Sequence, residues 1–274
     1  MAELTAETTQ ISRKPSAFDK RIHEIDFLRG FLILLVIFDH IMNHFAFDNN
    51  FWPAMQGAAY WYWYCEPRHI VRFIALIGFC FVSGVSCAFS RNNWLRAGQM
   101  IMFWAILAVG STILEAWDLF GGSLTIYIPF NVIGTLAWST LFYCFVQNKS
   151  WRSILVLLIV CFLMCQYVVP WIQNVNEIKG VYPNAPALYP PTYHPNRYGY
   201  LAWADWLPLF PFATFFMAGA LVSYFVYMPT RKSIIKHKGN WEKFFCFCGR
   251  HSLIIYVVHQ IILVPIFMLL NLIN

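Results

Sequence analysis

Charge is what this chain has least of. Only 12% of its residues are Asp, Glu, Lys or Arg, against about 25% in an ordinary soluble domain, while 59% are hydrophobic and 19% aromatic. That composition excludes a water-soluble globular domain and points to an integral membrane protein. The net charge of +6 does not signal nucleic acid, because the basic residues are scattered between apolar runs and form no basic face or nucleic-acid motif. A disulfide framework is lacking too: Cys80, Cys87, Cys144, Cys161 and Cys165 lie inside apolar runs, where a thiol packs as a small hydrophobe. Cys246-Phe-Cys248 has no companion pair, whereas structural zinc takes four ligands, so no metal site is expected. Residues 1–20 lack the apolar core and small-residue cleavage site of a signal peptide and are expected to form a flexible cytoplasmic tail. No inverted repeat with matching broken helices is evident, which argues against a secondary transporter.

What the chain does contain is apolar runs long enough to span a bilayer. They fall at 27–47, 69–90, 97–117, 125–146, 152–171, 206–228 and 252–273, about seven spans of bilayer length. The predicted fold is all-α, a polytopic membrane helix bundle forming a single domain over residues 21–274. With the N-terminus placed in the cytoplasm, fifteen of the nineteen Lys and Arg fall on the inner side and only Arg68, Arg72, Lys179 and Arg197 outside. The positive-inside rule therefore predicts a cytoplasmic N-terminus and an extracytoplasmic C-terminus.

The first span is unusually polar. At about 100° per residue, Asp26, Arg29, His40 and His44 share a sector of roughly 60°, while Asp39 points away. From Asp26 to His44 the rise is about 27 Å, so one pair sits near each membrane surface. Ionisable groups cost about 2.5 kcal/mol or more near the centre of a lipid-exposed helix, so this face should turn toward protein or water. The plainer reading is that Asp26 and Arg29 flank the helix in the headgroups and His40 is a packing residue.

Other polar features converge on the same levels. Arg68, His69 and Arg72 share a face at the start of the second span, level with Asp39, His40 and His44, and serve either as cross-helix ionic partners or as headgroup anchors. In the last span Ser252, Tyr256 and His259 project together with Gln260 beside them, and His259 lies about 13 Å along the axis from Arg250. Outer segments 49–67 and 172–205 are rich in aromatics and proline, as in Trp61-Tyr-Trp-Tyr64 and Tyr189-Pro-Pro-Thr-Tyr-His-Pro-Asn-Arg197, suited to sugar stacking or to an interfacial aromatic belt. The length of the second marks it as a lid candidate. Ser90-Arg-Asn-Asn-Trp-Leu-Arg96 and the run 231–250 form an inner basic rim that fits anionic lipid headgroups or a phosphorylated cofactor.

Four blocks resemble the heparan-alpha-glucosaminide N-acetyltransferase catalytic-domain family of transmembrane acyltransferases. They are Arg21-Ile-His-Glu-Ile-Asp-Phe-Leu-Arg-Gly30 running into His40, Phe81-Val-Ser-Gly-Val-Ser86 followed by Arg91, Asp205-Trp-Leu-Pro-Leu-Phe-Pro211 with Gly219, and Gly249-Arg-His-Ser-Leu-Ile-Ile-Tyr-Val-Val-His-Gln260. The resemblance implies an enzyme that takes an acyl group from cytoplasmic acetyl-CoA, or another acyl-CoA, and delivers it to an amine or hydroxyl of an extracytoplasmic sugar or glycan. His40 occupies the position where bacterial relatives place His and the lysosomal enzyme Asn. The chain departs from its relatives at Phe130-Asn-Val-Ile-Gly-Thr135, where they usually carry a histidine, and at Asp39 and His44, where bacterial relatives carry an apolar residue and an Asp.

On this reading His40, His44, Asp39 and His259 are the catalytic candidates. His40 acts as base on the acceptor, with direct transfer and a transient acyl-histidine both open. Arg29, Arg91, Arg96 and Arg250 hold the cofactor phosphates in forked pairs, Asp26 orients Arg29, and His251 and Ser252 complete the donor site. The lysosomal enzyme has more spans, so the small form is expected to need a partner or a second copy. Its expected setting is a bacterial inner membrane. A rival from another class is a non-enzymatic bundle using the same histidines to pass protons or bind a solute or lipid, and the plainest is a scaffold glued by interhelical hydrogen bonds.

Overall fold

The structure, a computed structural model, describes residues 22–47, 52–90, 92–116, 130–168, 207–227, 233 and 239–273. The tail 1–20, Arg91, the segment 172–205 and most of 231–238 lie outside the described residues. Among the described residues there are nine α-helices: α1 (His23–Phe47), α2 (Pro53–Tyr64), α3 (Glu66–Cys87), α4 (Asn93–Ala116), α5 (Val132–Cys144), α6 (Trp151–Leu163), α7 (Leu209–Val226), α8 (Asn240–Arg250) and α9 (Ser252–Ile273). A π-helical turn, Met164–Val168, continues α6.

Among the described residues, five helices are long and apolar enough to cross a membrane: α3, α4, α6 with its π turn, α7 and α9. α1, at 25 residues, measures about 37 Å against a hydrocarbon core of about 30 Å. α5 has only 13 residues, shorter than the 125–146 run, whose first five residues are not described. α2 lies within the predicted outer aromatic segment and α8 within the inner basic run. Proline sits in the first turn of both α2 and α3, where its missing N–H costs no helical bond. Asn131 caps α5 by accepting from the Gly134 N–H at 3.1 Å, as N-cap residues do.

Large apolar side chains cover the outside. On α6, Val156, Ile159, Val160, Phe162 and Leu163 are exposed, as are Ile254, Ile261, Ile262, Leu269 and Leu272 on α9. In water such surfaces would drive association; in a bilayer they face lipid. The chain is an integral membrane protein. Its core is α7, whose Phe212, Ala213, Phe216, Met217 and Ala220 are fully buried against α3, α5 and α6.

Two crossings bring backbone against backbone. A Cβ on Gly30 would overlap the Phe245 carbonyl, and one on Gly249 the Asp26 carbonyl, so α1 and α8 touch along their main chains. Gly84 and Gly219 do the same for α3 and α7, meeting the carbonyls of Phe216 and Phe81. Such small-residue contacts let membrane helices approach closely without a hydrophobic driving force.

Alanine at Gly30, Gly84, Gly219 or Gly249 should therefore lower thermal stability in detergent by about 1–3 kcal/mol or prevent folding, as overpacking does. Gly98→Ala, with nothing near the added methyl, should be neutral or stabilising by up to about 1 kcal/mol. Fluorescence-detected size exclusion after heating measures both, and equal melting of the two sets would contradict the close crossings.

Candidate active site

Toward the C-terminal end of α1 the imidazoles gather. His40 and His44 are one turn apart on α1, and α9 packs on that helix, bringing Gln260 between them. The Gln260 amide donates from Nε2 to His40 Nδ1 at 2.8 Å and accepts through Oε1 from His44 Nε2 at 3.3 Å. The His259 ring lies 4.9 Å from that of His40, centroid to centroid. His259 donates its Nδ1–H to the Tyr256 carbonyl, and since a carbonyl only accepts, that nitrogen carries a hydrogen. His44 is buried and stacks on Phe267 at 5.0 Å. His40 is half-buried and lines a partly open cleft of about 60 Å³.

The opposite wall of that cleft is ionic. Asp39 receives Arg68 through both carboxylate oxygens at 2.8 Å and the Tyr62 hydroxyl at 3.1 Å, and Arg72 lies 3.8 Å away. The Arg68 side chain is only 2% exposed, and its guanidinium stacks over the Trp63 ring at 3.7 Å, a cation–π contact. Arg72 is 40% exposed. Burial first, and then the Asp39 carboxylate, push the Tyr62 hydroxyl up to about 12, so it stays a donor to Asp39 throughout the neutral range. With Asp39 neutralised by Arg68, Arg72 leaves the cleft with surplus positive charge.

A second polar group lies near the other end of α1, about 16 Å along the axis from His40 to Arg29. Arg29 donates to Ser86 of α3 and to the Gly249 carbonyl of α8 at 3.5 Å, and lies 3.8 Å from Asp26. Ser86 in turn donates to the Val82 carbonyl at 2.6 Å. One guanidinium thus ties three helices at the level where the glycine crossing brings α8 onto α1. Arg250, His251 and Ser252 follow directly: Arg250 is half-buried and bonds the Cys246 carbonyl at 3.1 Å, His251 is exposed beside Phe247, and Ser252 is buried at the start of α9.

The predicted residues therefore form two groups. His40, His44 and His259 come together with Asp39 on the adjoining wall, while Asp26 and Arg29 lie at the α1–α8 junction, with Arg250, His251 and Ser252 following directly after the Gly249 that Arg29 bonds. Arg96 is half-buried in the first turn of α4, which packs mainly on α5, and Arg91 lies outside the described residues. Gln260, Tyr62 and Ser86 are the partners that no single-helix projection could assign, because each acts on a residue of another helix. In the departing segment, a Cβ on Gly134 would lie 3.0 Å from the Trp104 ring, so any larger side chain there has to displace that indole. Val132, two residues earlier, lines the cleft with an apolar wall.

Residues 21–261 match a protein family described as heparan-alpha-glucosaminide N-acetyltransferase, catalytic. No curated protein and no solved structure matches the chain.

Removing Asp39 leaves the Arg68 guanidinium, 2% exposed, buried without its carboxylate, so Asp39→Asn should destabilise the protein by about 3–5 kcal/mol. The double variant Arg68→Leu with Asp39→Asn should recover much of that loss. A thermal-stability cycle on the four proteins measures the coupling, and simple additivity would rule out the pair as a structural clamp.

Proposed function

Because this chain belongs to the heparan-alpha-glucosaminide N-acetyltransferase catalytic-domain family, a family named for acetyl transfer, we propose that it moves an acetyl or other acyl group from acyl-CoA to an amine or hydroxyl of an extracytoplasmic sugar. The setting we propose is a bacterial inner membrane, with the N-terminus cytoplasmic, the C-terminus extracytoplasmic and about seven spans in all. The observation that carries this reading is the meeting of His40 and His44 with His259 and Gln260 of α9, His40 lining a cleft on the same helix that bears Arg29.

The donor end is the α1–α8 junction. Arg250, with Arg96 and Arg91, supplies cationic donors for the donor's phosphates, which guanidinium groups engage in charge-assisted forks, and His251 adds a ring N–H. Arg29, held by Asp26 and Ser86, fixes the position of the Gly249 carbonyl and so of the turn that presents Arg250 to Ser252. The roughly 16 Å of axial rise from Arg29 to His40 is bridged by the donor's flexible arm, which carries the thioester toward the cleft.

The acceptor enters from the α2 side. The cleft is too small for a sugar ring, so it receives the reacting amine or hydroxyl while the ring rests on the exposed aromatics of α2, Trp61 and Tyr64 among them. The acceptor heteroatom attacks the thioester carbonyl, His40 takes the proton that heteroatom loses, and the carbon–sulfur bond breaks. The thiolate then leaves as the free thiol on gaining a proton. His259 stands beside His40 to share the positive charge, and Asp39, clamped by Arg68, holds the cleft wall in place.

A second reading, proton passage along the same imidazoles, is favoured by their contiguity. Proton flux into liposomes without any acyl donor would support it over transfer.

With purified protein, acetyl-CoA and amino sugars, His40→Ala should lower the transfer rate by about 100- to 10,000-fold, the usual worth of general base catalysis. Undiminished transfer by a folded His40→Ala protein refutes the assignment. Arg250→Ala should weaken acetyl-CoA binding roughly tenfold in calorimetry, the value of one charge-assisted hydrogen bond; unchanged affinity removes Arg250 from the donor site.

A further inference from the structure

Gln260 stands between two titratable rings, and a single amide cannot treat them alike. Its NH2 group only donates and its carbonyl only accepts. The ring that faces the NH2, here His40 through Nδ1, must keep a lone pair on that nitrogen and so cannot be an imidazolium while the bond stands. The ring that faces the carbonyl, here His44 through Nε2, must carry a hydrogen there, as the neutral tautomer or as the imidazolium. Turning the amide over exchanges the two rings but keeps the rule.

We propose that Gln260 is a positioning residue that couples the protonation of His40 and His44, allowing one imidazolium between them, and that the orientation of its amide selects which nitrogen of His40 holds the lone pair. With the NH2 on His40, the Nδ1 lone pair is occupied. With the carbonyl on His40, Nδ1 keeps its hydrogen and the lone pair sits on Nε2, so the ring can take a proton there while the amide oxygen stabilises the resulting imidazolium. A neutral His44 is then the partner that the amide requires. The part of this that concerns the acceptor's proton rests on the acyl-transfer reading; the coupling of the two rings does not.

The charged and titratable surroundings come from every helix at this level. Asp39 is the neighbour on α1, Tyr62 comes from α2, Arg68, His69 and Arg72 from α3, and Tyr256 and His259 from α9. α8 meets α1 near the other end, around Asp26 and Gly30. Asp39 is held by Arg68 and Arg72, and the Nδ1 of His259 is committed to the Tyr256 carbonyl. None of these contacts bridges His40 to His44 as the Gln260 amide does.

The test is a titration of ring signals by NMR on histidine-labelled full-length protein in detergent, with the two rings assigned from His40→Asn and His44→Asn. Across a pH series, His40 and His44 should take up their protons in two separate steps rather than together. Gln260→Leu should narrow that separation. Gln260→Glu, similar in shape but able to accept from both rings, should admit two imidazoliums and raise both midpoints by about one unit or more. It should also carry the acid limb of the transfer rate to higher pH, which a purely structural role would not do. Independent, coincident titration of the two rings in the unaltered protein, or a Gln260→Glu protein with unshifted midpoints, overturns the proposal. The titration needs no acyl donor, so coupled rings in a protein without transfer activity remove only the enzyme reading, and uncoupled rings in an active enzyme remove only the coupling.

Discussion

A helix carrying Asp, Arg and His inside an apolar bundle persists only if other helices meet those groups, since burying each one unpaired costs several kcal/mol. α1 satisfies that requirement with partners from other helices at every level. Arg29 reaches Ser86 on α3 and the Gly249 carbonyl on α8, Asp39 is taken by Arg68 on α3 and Tyr62 on α2, and His40 and His44 are served by Gln260 on α9. The helix least suited to lipid is thereby the hub of the bundle. The ionisable groups that make it costly are also the ones offered for chemistry.

Those polar bonds depend on distances that only glycine permits. If α1 and α8 were held apart by a methyl group, the Gly249 carbonyl would move away from the guanidinium that bonds it. The turn leading into α9 would move with it, and α9 carries Gln260 and His259. The Gly84–Gly219 crossing similarly sets α3 against the fully buried α7, and α3 bears Arg68, Arg72 and Ser86. Two backbone contacts thus set the geometry of both polar groups, one at each end of α1. The four glycines involved all belong to the blocks that carry the family resemblance, and close packing gives a physical reason for each.

The cleft beside His40 shows how an apolar bundle keeps one ionic wall in a largely apolar cleft. Arg68 is neutralised by Asp39 and covered by Trp63, so its charge is both paired and stacked. Arg72, more exposed, leaves the wall with positive character toward the opening. α2 supplies Tyr62 and Trp63 to this wall while turning Trp61 and Tyr64 outward.

Much of this was legible along the chain. The scarcity of charge dictated a membrane bundle, the 3.6-residue period put Asp26, Arg29, His40 and His44 on one face, and the second histidine-bearing helix was visible at His259. Arg68 stood level with Asp39, although its choice between ion pair and headgroup anchor stayed open. α2 and α8 were not legible as helices, because aromatic belts and basic rims have the same composition whether or not they are wound. Nor could the one-dimensional pattern reveal that Gln260 joins His40 to His44, that Ser86 receives Arg29, or that the glycines are crossing points. Periodicity fixes which residues share a face of one helix, but the angle and separation at which two helices meet depend on the surfaces of both. Only the folded bundle, by bringing α9 and α3 onto α1, decided which polar groups became partners.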